Sequence, residues 1–583
     1  MIKRSLFKAL TVLALSFNTV LIQAEAVQAQ SAPDSLKRPN ILVILSDDMG
    51  ISDIGCYGGE IETPQLDSLA RQGVRMRGFY NTARCCPTRA CILTGLYPHQ
   101  AGIGHMMNDR GLPGYRGDLN DQCVTIAQVL RPAGYRTCAV GKWHVTKHIT
   151  DKSNISNWPI QRGFDDCYSA LSGAGNYFQP YCVVRGNEFV STEADPDYAP
   201  PLGTYYVTDA FTDNAIAYLK RYDQENQSHP DQAKPFFLYL TYTAAHWPMQ
   251  ALPEDIAKYR GKFDAGWDSL RQSRLERMKR FGVVPESTPL SPRANESPAW
   301  DSLSAEDKAW FAARMEVYAA IVDRMDQGIG RIVDYLKQSG QFDNTLILYI
   351  QDNGACAEEI GSLGPICYAG KKSGATAHSR QKPMAKTEPS LVRHDKWTRE
   401  GLPVKTGRVT PGPVDTYISY GLPWANLSDT PFKLFKHFVH EGGIRTPLIA
   451  SWPNGLKHQD WVDGPGHLID VMATCVDAGQ AQYPKQFNGI DIIPMEGVSL
   501  IPALNGQPLH RPAPLFWEHE GNRAIRDGKW KLVARGWKDE WHLFNLETDP
   551  TELTDLADRK PKLVKRLAEQ WETWAHRTNV YPR

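Results

Sequence analysis

The sequence predicts an α/β fold: a large, doubly wound, mostly parallel or mixed sheet flanked by helices, followed by a smaller C-terminal subdomain of antiparallel sheet plus helix. Three observations predict it. Continuously apolar, β-branched runs, the mark of strands buried on both faces, recur between Ile41 and Ile350. Amphipathic helical stretches lie between them. After about Pro512 the pattern changes to short strands joined by a hairpin-type turn.

Taken in order, the chain opens with Lys3, Arg4 and Lys8, an apolar stretch from Ala9 to Leu21, and the small-residue patterns Ala24-Glu25-Ala26 and Val27-Gln28-Ala29. That is the grammar of a cleavable export signal, so residues 1–29 are set apart from the fold and the rest is expected in the periplasm or outside the cell. The apolar run is shorter than the roughly 20 residues that span a bilayer, so stable membrane insertion is not expected. The run 41–45 reads as a central parallel strand that ends in Ser46-Asp47-Asp48, with a helix signal at Thr63-Pro64. The same pattern recurs at 137–140 before Gly141-Lys142-Trp143-His144, at 236–240 before His246, and at 346–350 before Asp352-Asn353. Tyr318, Ile321, Val322, Met325, Ile329, Ile332, Val333 and Leu336, spaced by threes and fours, predict a helix between the last two of these strands.

The segment from about Ala355 to Leu422 is rich in Gly, Pro, Lys and Arg without periodicity and reads as a long loop beside the site. Short strands at 524–526 and 530–533, joined through Asp527-Gly528, and a last helix with Leu563, Leu567, Trp571 and Trp574 on one face make up the C-terminal part. The expected division is therefore a main domain over 38–510 and a subdomain over 511–583.

The 583 residues carry 65 Lys+Arg against 65 Asp+Glu, so no overall field draws nucleic acid or an anionic membrane, and neither is an expected partner. Any preference for anions must be local. Eleven cysteines in an exported chain predict some disulfides, and the odd count leaves one thiol over, assigned to Cys85.

In open α/β sheets ligands bind beyond the carboxyl ends of the strands. Four strands deliver Asp, Lys/His, His and Asp/Asn to that edge, which makes one shared site the economical reading. Asp47, Asp48, Asp352 and Asn353 are oxygen donors suited to a hard cation such as Ca²⁺ or Mg²⁺, whereas zinc would want His or Cys.

Cys85-Cys86-Pro87-Thr88-Arg89 followed by Leu93-Thr94-Gly95 fits C-x-P-[ST]-R-x-x-x-x-T-G. Here the chain resembles the type I, formylglycine-dependent sulfatases of the alkaline phosphatase superfamily, and in particular the arylsulfatase-like ones. The resemblance implies that a formylglycine-generating enzyme oxidises Cys85, not Cys86, to 3-oxoalanine. It implies one Ca²⁺ per chain, Mg²⁺ being second choice, on Asp47, Asp48, Asp352 and Asn353, with Cys85 in its oxidised form completing the set. It assigns Arg89 to a place against the formylglycine, and Lys142 and Lys436 to the sulfate or the leaving oxygen. His246, with Lys436, serves the leaving group, and His144 serves the breakdown of the sulfated enzyme. It extends to Leu543-Phe544-Asn545-Leu546 and the Asp549-Pro550 that follows, and so over essentially the whole mature chain.

The chemistry fits these residue types. An aldehyde hydrates to a geminal diol; one hydroxyl attacks sulfur, and the second lets the sulfated diol collapse and expel sulfate without attack of water on sulfur. Fixed cations balance the charge of the ester, and imidazoles move protons near neutral pH. Three other readings stay open at this point. Cys85, Cys86 and Cys91 could form a disulfide cluster or a thiolate metal site. The enzyme could be a phosphonate or phosphate ester hydrolase of the same superfamily. The chain could be an inactive relative that binds carbohydrate through its many aromatic residues. The expected substrate is a sulfated small molecule or glycan, aryl or carbohydrate.

Overall fold

The computed structural model describes residues 38–201, 203–360 and 380–583. The export signal expected over 1–29 lies outside the described residues. Among the described residues no helix is long and apolar enough to cross a membrane.

Ten strands form the main sheet: β1 (Asn40–Ser46), β2 (Val74–Tyr80), β3 (Arg136–Lys142), β4 (Asp166–Ala170), β5 (Val183–Arg185), β6 (Glu188–Phe189), β7 (Phe236–Thr241), β8 (Thr345–Gln351), β9 (Arg445–Ser451) and β10 (Trp461–His467). Their order is β10-β2-β9-β8-β1-β7-β3-β4-β5-β6. The centre, β8-β1-β7-β3-β4, is parallel throughout, while β9 runs antiparallel to both β8 and β2. Successive residues of β1 point to opposite faces, and both faces are covered. Ile41, Val43 and Leu45 enter one hydrophobic core and Leu42 and Ile44 the other, all fully buried. That is why the run is apolar without alternation.

The second core is built on the helix Ala305–Gln338, whose eight apolar positions named above are all buried. This helix also fixes α1 (Pro64–Gln72): the Asp326 carboxylate accepts from the backbone N–H of Gln65 and of Leu66, each at 2.9 Å. Those are N–H groups of the first helical turn, which has no partners within its own helix.

A two-stranded ribbon, β11 (Gln486–Phe487) and β12 (Ile490–Asp491), precedes a separate antiparallel sheet of β13 (Leu515–His519), β14 (Asn522–Asp527), β15 (Trp530–Ala534) and β16 (His542–Asn545). The helix Pro561–Arg577 packs on that sheet through Trp571, whose indole donates to the Trp517 carbonyl at 3.0 Å, and Trp574, stacked on Phe516 at 5.2 Å. The turn between β14 and β15 is Gly528-Lys529, one residue beyond the expected Asp527-Gly528, because Asp527 pairs directly with Trp530. Gly528 takes the positive φ, 56°, that such a turn requires.

Among the described residues none of the expected disulfides is formed: the ten cysteines there are all free, and nine are buried. Cys91, Cys123, Cys167 and Cys475 sit in the first core as small apolar side chains, a use of cysteine that a count cannot distinguish from pairing.

Asp326→Ala should cost about 2 kcal/mol, since it strands two N–H groups in a buried position. Chemical denaturation should show a lower midpoint at unchanged slope, whereas an unchanged midpoint would mean water replaces the carboxylate.

Candidate active site

Parallel register does most of the work of assembling the site. Ser46 of β1 lies opposite Gln351 of β8, so the chain leaves both strands at one level and sets Asp47-Asp48 beside Asp352-Asn353. On the other side β7 and β3 end together, Thr241 opposite Gly141, which brings Lys142, His144 and His246 to the same edge. All four acidic and amide residues are buried. Asp48 and His144 are held at positive φ, 59° and 52°, a conformation costing a non-glycine residue on the order of 1–3 kcal/mol. The Asp48 N–H is fixed by the Asp352 carboxylate at 3.1 Å.

The Cys85 motif is the helix α2 (Cys85–Thr94) with its capping Gly95, and Thr88, Arg89, Thr94 and Gly95 each have a structural cause. Cys85 opens the helix. The Thr88 hydroxyl donates to the Asp352 carbonyl at 2.6 Å. Arg89, fully buried, donates to the Asp352 carboxylate at 3.0 Å and to the Lys142 carbonyl at 2.8 Å, tying α2 to both β8 and β3. Thr94 bonds back to the Ala90 carbonyl at 2.7 Å, and Gly95 ends the helix at φ 70°. A Cβ there would lie 2.7 Å from that of Met472, so glycine is demanded twice over.

Buried charges are paired one to one. Lys142 Nζ lies 2.5 Å from Asp47 Oδ2, and Lys436 Nζ lies 2.7 and 2.9 Å from the two Asp48 oxygens. His246 donates through Nδ1 to the Trp247 carbonyl at 2.8 Å, which turns Nε2 to Asp48 Oδ2 at 3.3 Å. Burial, reinforced by Asp352, pushes the Asp47 carboxyl well above its usual value, and burial also raises Asp352. Burial acts on Asp48 too, but His246 and Lys436 override it and hold that group at about 2.

Two buried oxygens of this cluster, Asp47 Oδ1 and Asn353 Oδ1, have no hydrogen-bond partner. Asp47, Asp48 and His246 present ligand atoms within 4.8 Å of one another. Bare oxygens among crowded carboxylates are what a divalent cation satisfies, so the residues fit one. The cluster is able to coordinate a divalent ion. His246 belongs to it, a neighbour that the sequence pattern did not assign there.

Cys85 groups instead with Cys86 and His144. A hydrogen bond from Cys86, then Lys142 and His144, lower the Cys85 thiol well below its usual value against the effect of burial. Burial raises Cys86 and Cys91. Burial lowers His144 to about 4.

Cys85, His144, His246 and Lys436 open into a cavity of about 370 Å³. Its further walls include Met106, Met107, Tyr181, Trp247, Glu358 and Arg393. None of these six was read from the sequence; Glu358 and Arg393 come from the long loop, which does lie beside the site, and only Trp247 had a signal, its place next to His246. Residues 361–379 of that loop lie outside the described residues. A second cavity, about 810 Å³ between Tyr205, Ile256 and Pro411, is larger but contains none of the reactive residues.

The sulfatase family model matches residues 39–481, and the model described as N-sulphoglucosamine sulphohydrolase, C-terminal, matches 432–576. The chain belongs to the sulfatase family. It has the type I, formylglycine-dependent sulfatase fold of the alkaline phosphatase superfamily and hydrolyses sulfate esters. The sulfatase is 34% identical over 566 residues to an uncharacterised sulfatase of Schizosaccharomyces pombe, covering 93% of this chain and 94% of that one. It is 30% identical over 471 residues to an arylsulfatase of Klebsiella aerogenes, covering 80% and 91%. Among solved structures it is similar to Ps i-CgsB in complex with k-i-k-neocarrahexaose, with a TM-score of 0.62 at 22% identity, covering 93% and 94%, a likeness of fold.

Arg89→Ala should destabilise the sulfatase by about 3–5 kcal/mol, because Asp352 is left buried without its cation. Urea unfolding would check this, and a loss below about 1 kcal/mol would mean that Lys142 alone neutralises both carboxylates.

Proposed function

We propose that the enzyme cleaves aryl sulfate esters, or sulfated carbohydrates carrying an accessible ester, with a nucleophile made by oxidising Cys85 to formylglycine, and that it works outside the cytoplasm. The observation that carries this reading is the position of Cys85: it opens α2 in the wall of the cavity, with Lys142 and His144 beside it and His246 and Lys436 lining the same space. Its motif matches the string that the maturing enzyme reads.

Asp47, Asp48, Asp352 and Asn353 are the residues to hold Ca²⁺, together with the oxidised Cys85; the ion would polarise an ester oxygen and favour the ionised nucleophile. The protein's own groups account for the rest. Arg89 neutralises Asp352 and stiffens the turn beneath the nucleophile. Lys142 and Lys436 supply the positive charge that the sulfuryl oxygens need as the S–O bond breaks. His246, its Nδ1 locked by Trp247, would deliver a proton to the leaving oxygen from Nε2 in its protonated form, which burial disfavours and the neighbouring Asp48 and Asp47 carboxylates favour. His144, neutral above about pH 4, accepts the proton released when the sulfated enzyme collapses.

The walls favour an aromatic leaving group. Trp247, Tyr181, Met106 and Met107 offer flat and polarisable apolar surface, beside the cations Arg84, Lys147 and Arg393. The arylsulfatase of Klebsiella aerogenes points the same way.

Two measurements test this. Co-expression with a formylglycine-generating enzyme should lower the mass of the Cys85 peptide by about 18 Da, the step from thiol to aldehyde, and give chelator-sensitive turnover of a chromogenic aryl sulfate restored by calcium. An unchanged Cys85 in active protein sinks the nucleophile, and faster turnover of phosphonate or phosphodiester substrates would make the enzyme a hydrolase of those esters. The pH profile of kcat should have an acid limb that breaks below the ordinary histidine value, because burial disfavours the protonated His144 and keeps it a base to lower pH. A break near 6.5 would assign the base to an unburied group.

A further inference from the structure

A second group of potential ligands stands outside the catalytic cluster. β13 ends in His519, and the turn to β14 is Glu520-Gly521, with both residues at positive φ, 52° and 85°. The turn meets His437, itself at φ 79°, immediately after Lys436 in the chain. His437 Nδ1 lies 2.8 Å from Glu520 Oε2, His105 Nε2 lies 3.2 Å from Glu520 Oε1, and His519 Nε2 lies 3.7 Å from that same oxygen.

His519 is the residue that hydrogen bonding does not explain. Its side chain is 0% exposed, and neither ring nitrogen has a hydrogen-bond partner. Its separation of 3.7 Å from Glu520 is too long for a hydrogen bond. The spacing instead resembles that of ligands sharing one ion: at metal–ligand distances of about 2.0–2.1 Å, tetrahedral ligand atoms are roughly 3.3 Å apart. His437, His519 and Glu520 present ligand atoms all within 4.8 Å of one another. His105, stacked on His519 with ring planes 20° apart, supplies a fourth donor close by.

We propose that His437, His519 and Glu520, with His105 alongside, form a second metal site that takes zinc. Imidazole nitrogens with one carboxylate suit zinc, whereas calcium takes oxygen ligands, so this site and the carboxylate cluster at Asp47 and Asp48 select different ions. Surroundings of the expected kind are present. The far nitrogen of His437 faces the Glu358 carboxylate at 3.0 Å, the carboxylate–histidine arrangement that orients metal-binding imidazoles. Arg84 contacts that nitrogen as well, and its charge is met by Glu358 at 2.8 Å. Solvent reaches the group, since Glu520 is 33% and His437 28% exposed, so the ion has a way in. A bound ion would clamp the C-terminal hairpin to the segment that carries Lys436.

The test uses the untagged full-length enzyme, stripped with chelator, resaturated with calcium and titrated with zinc chloride against a chromophoric competitor. One zinc per chain should be retained after desalting, by elemental mass spectrometry, with a rise in the thermal midpoint. Cobalt in its place should give visible d–d absorption of a nitrogen- and oxygen-ligated ion. His519→Ala and Glu520→Gln should each weaken zinc binding by about 10–100-fold while the calcium requirement of turnover stays as in the parent. Glu520→Gln changes a partly exposed turn residue without changing its shape, so it reports even if His519→Ala does not fold. No zinc retained at micromolar free metal, or uptake that neither variant alters, overturns the site and leaves a hydrogen-bonded cluster only.

Discussion

Three carboxylates taken out of water at the end of one sheet are the constraint to which the rest of this molecule answers. Asp47, Asp48 and Asp352 are each fully or almost fully buried, and isolated charges in that position would cost several kcal/mol apiece. Arg89, Lys142 and Lys436 meet them, each brought from a different part of the chain: α2, the end of β3, and the segment before β9. Two oxygens, Asp47 Oδ1 and Asn353 Oδ1, are left without a hydrogen-bond partner, and a divalent cation is one group able to satisfy them. If these cations also meet the sulfate, as proposed, then positioning substrate and neutralising carboxylates are one arrangement, with the cationic side chains already held by the acids behind them.

Much of this was legible in the sequence, for a physical reason. A strand buried on both faces must be apolar along its length, so the point where Asp47, Lys142 or Asp352 appears marks where the chain emerges at the sheet edge. Parallel pairing then turns equal emergence points into spatial neighbours. The helix Ala305–Gln338 and the closing helix were readable from their apolar spacing, since each has a face that must be covered. Cys85 and Arg89 were read from the resemblance of their motif to that of the sulfatases; in α2 Arg89 proves to be fixed by two hydrogen bonds, to Asp352 and to the Lys142 carbonyl.

What could not be read has equally physical causes. Trp247, Glu358 and Arg393 reach the cavity from segments without periodicity, where no repeating constraint writes itself into the sequence. His246 joins the carboxylate cluster through a ring orientation set by one hydrogen bond to its neighbour's carbonyl, a detail below the resolution of pattern. The cysteine count misled because a thiol in a core is simply a small apolar side chain; ten of them remain free here without any local cost in hydrogen bonding that a sequence could display.

The burial of α2 has a consequence for timing. Cys85 is 2% exposed, and Cys86, Thr88 and Arg89 are not exposed at all. On the proposed mechanism, an enzyme that must grip this string cannot reach it once α2 has docked under Asp352 and Lys142. If Cys85 is oxidised as proposed, oxidation would then have to precede the docking of α2. The fraction of active molecules would be decided once per chain and never revised, so two preparations of one sequence could be equally folded and equally stable yet differ severalfold in specific activity.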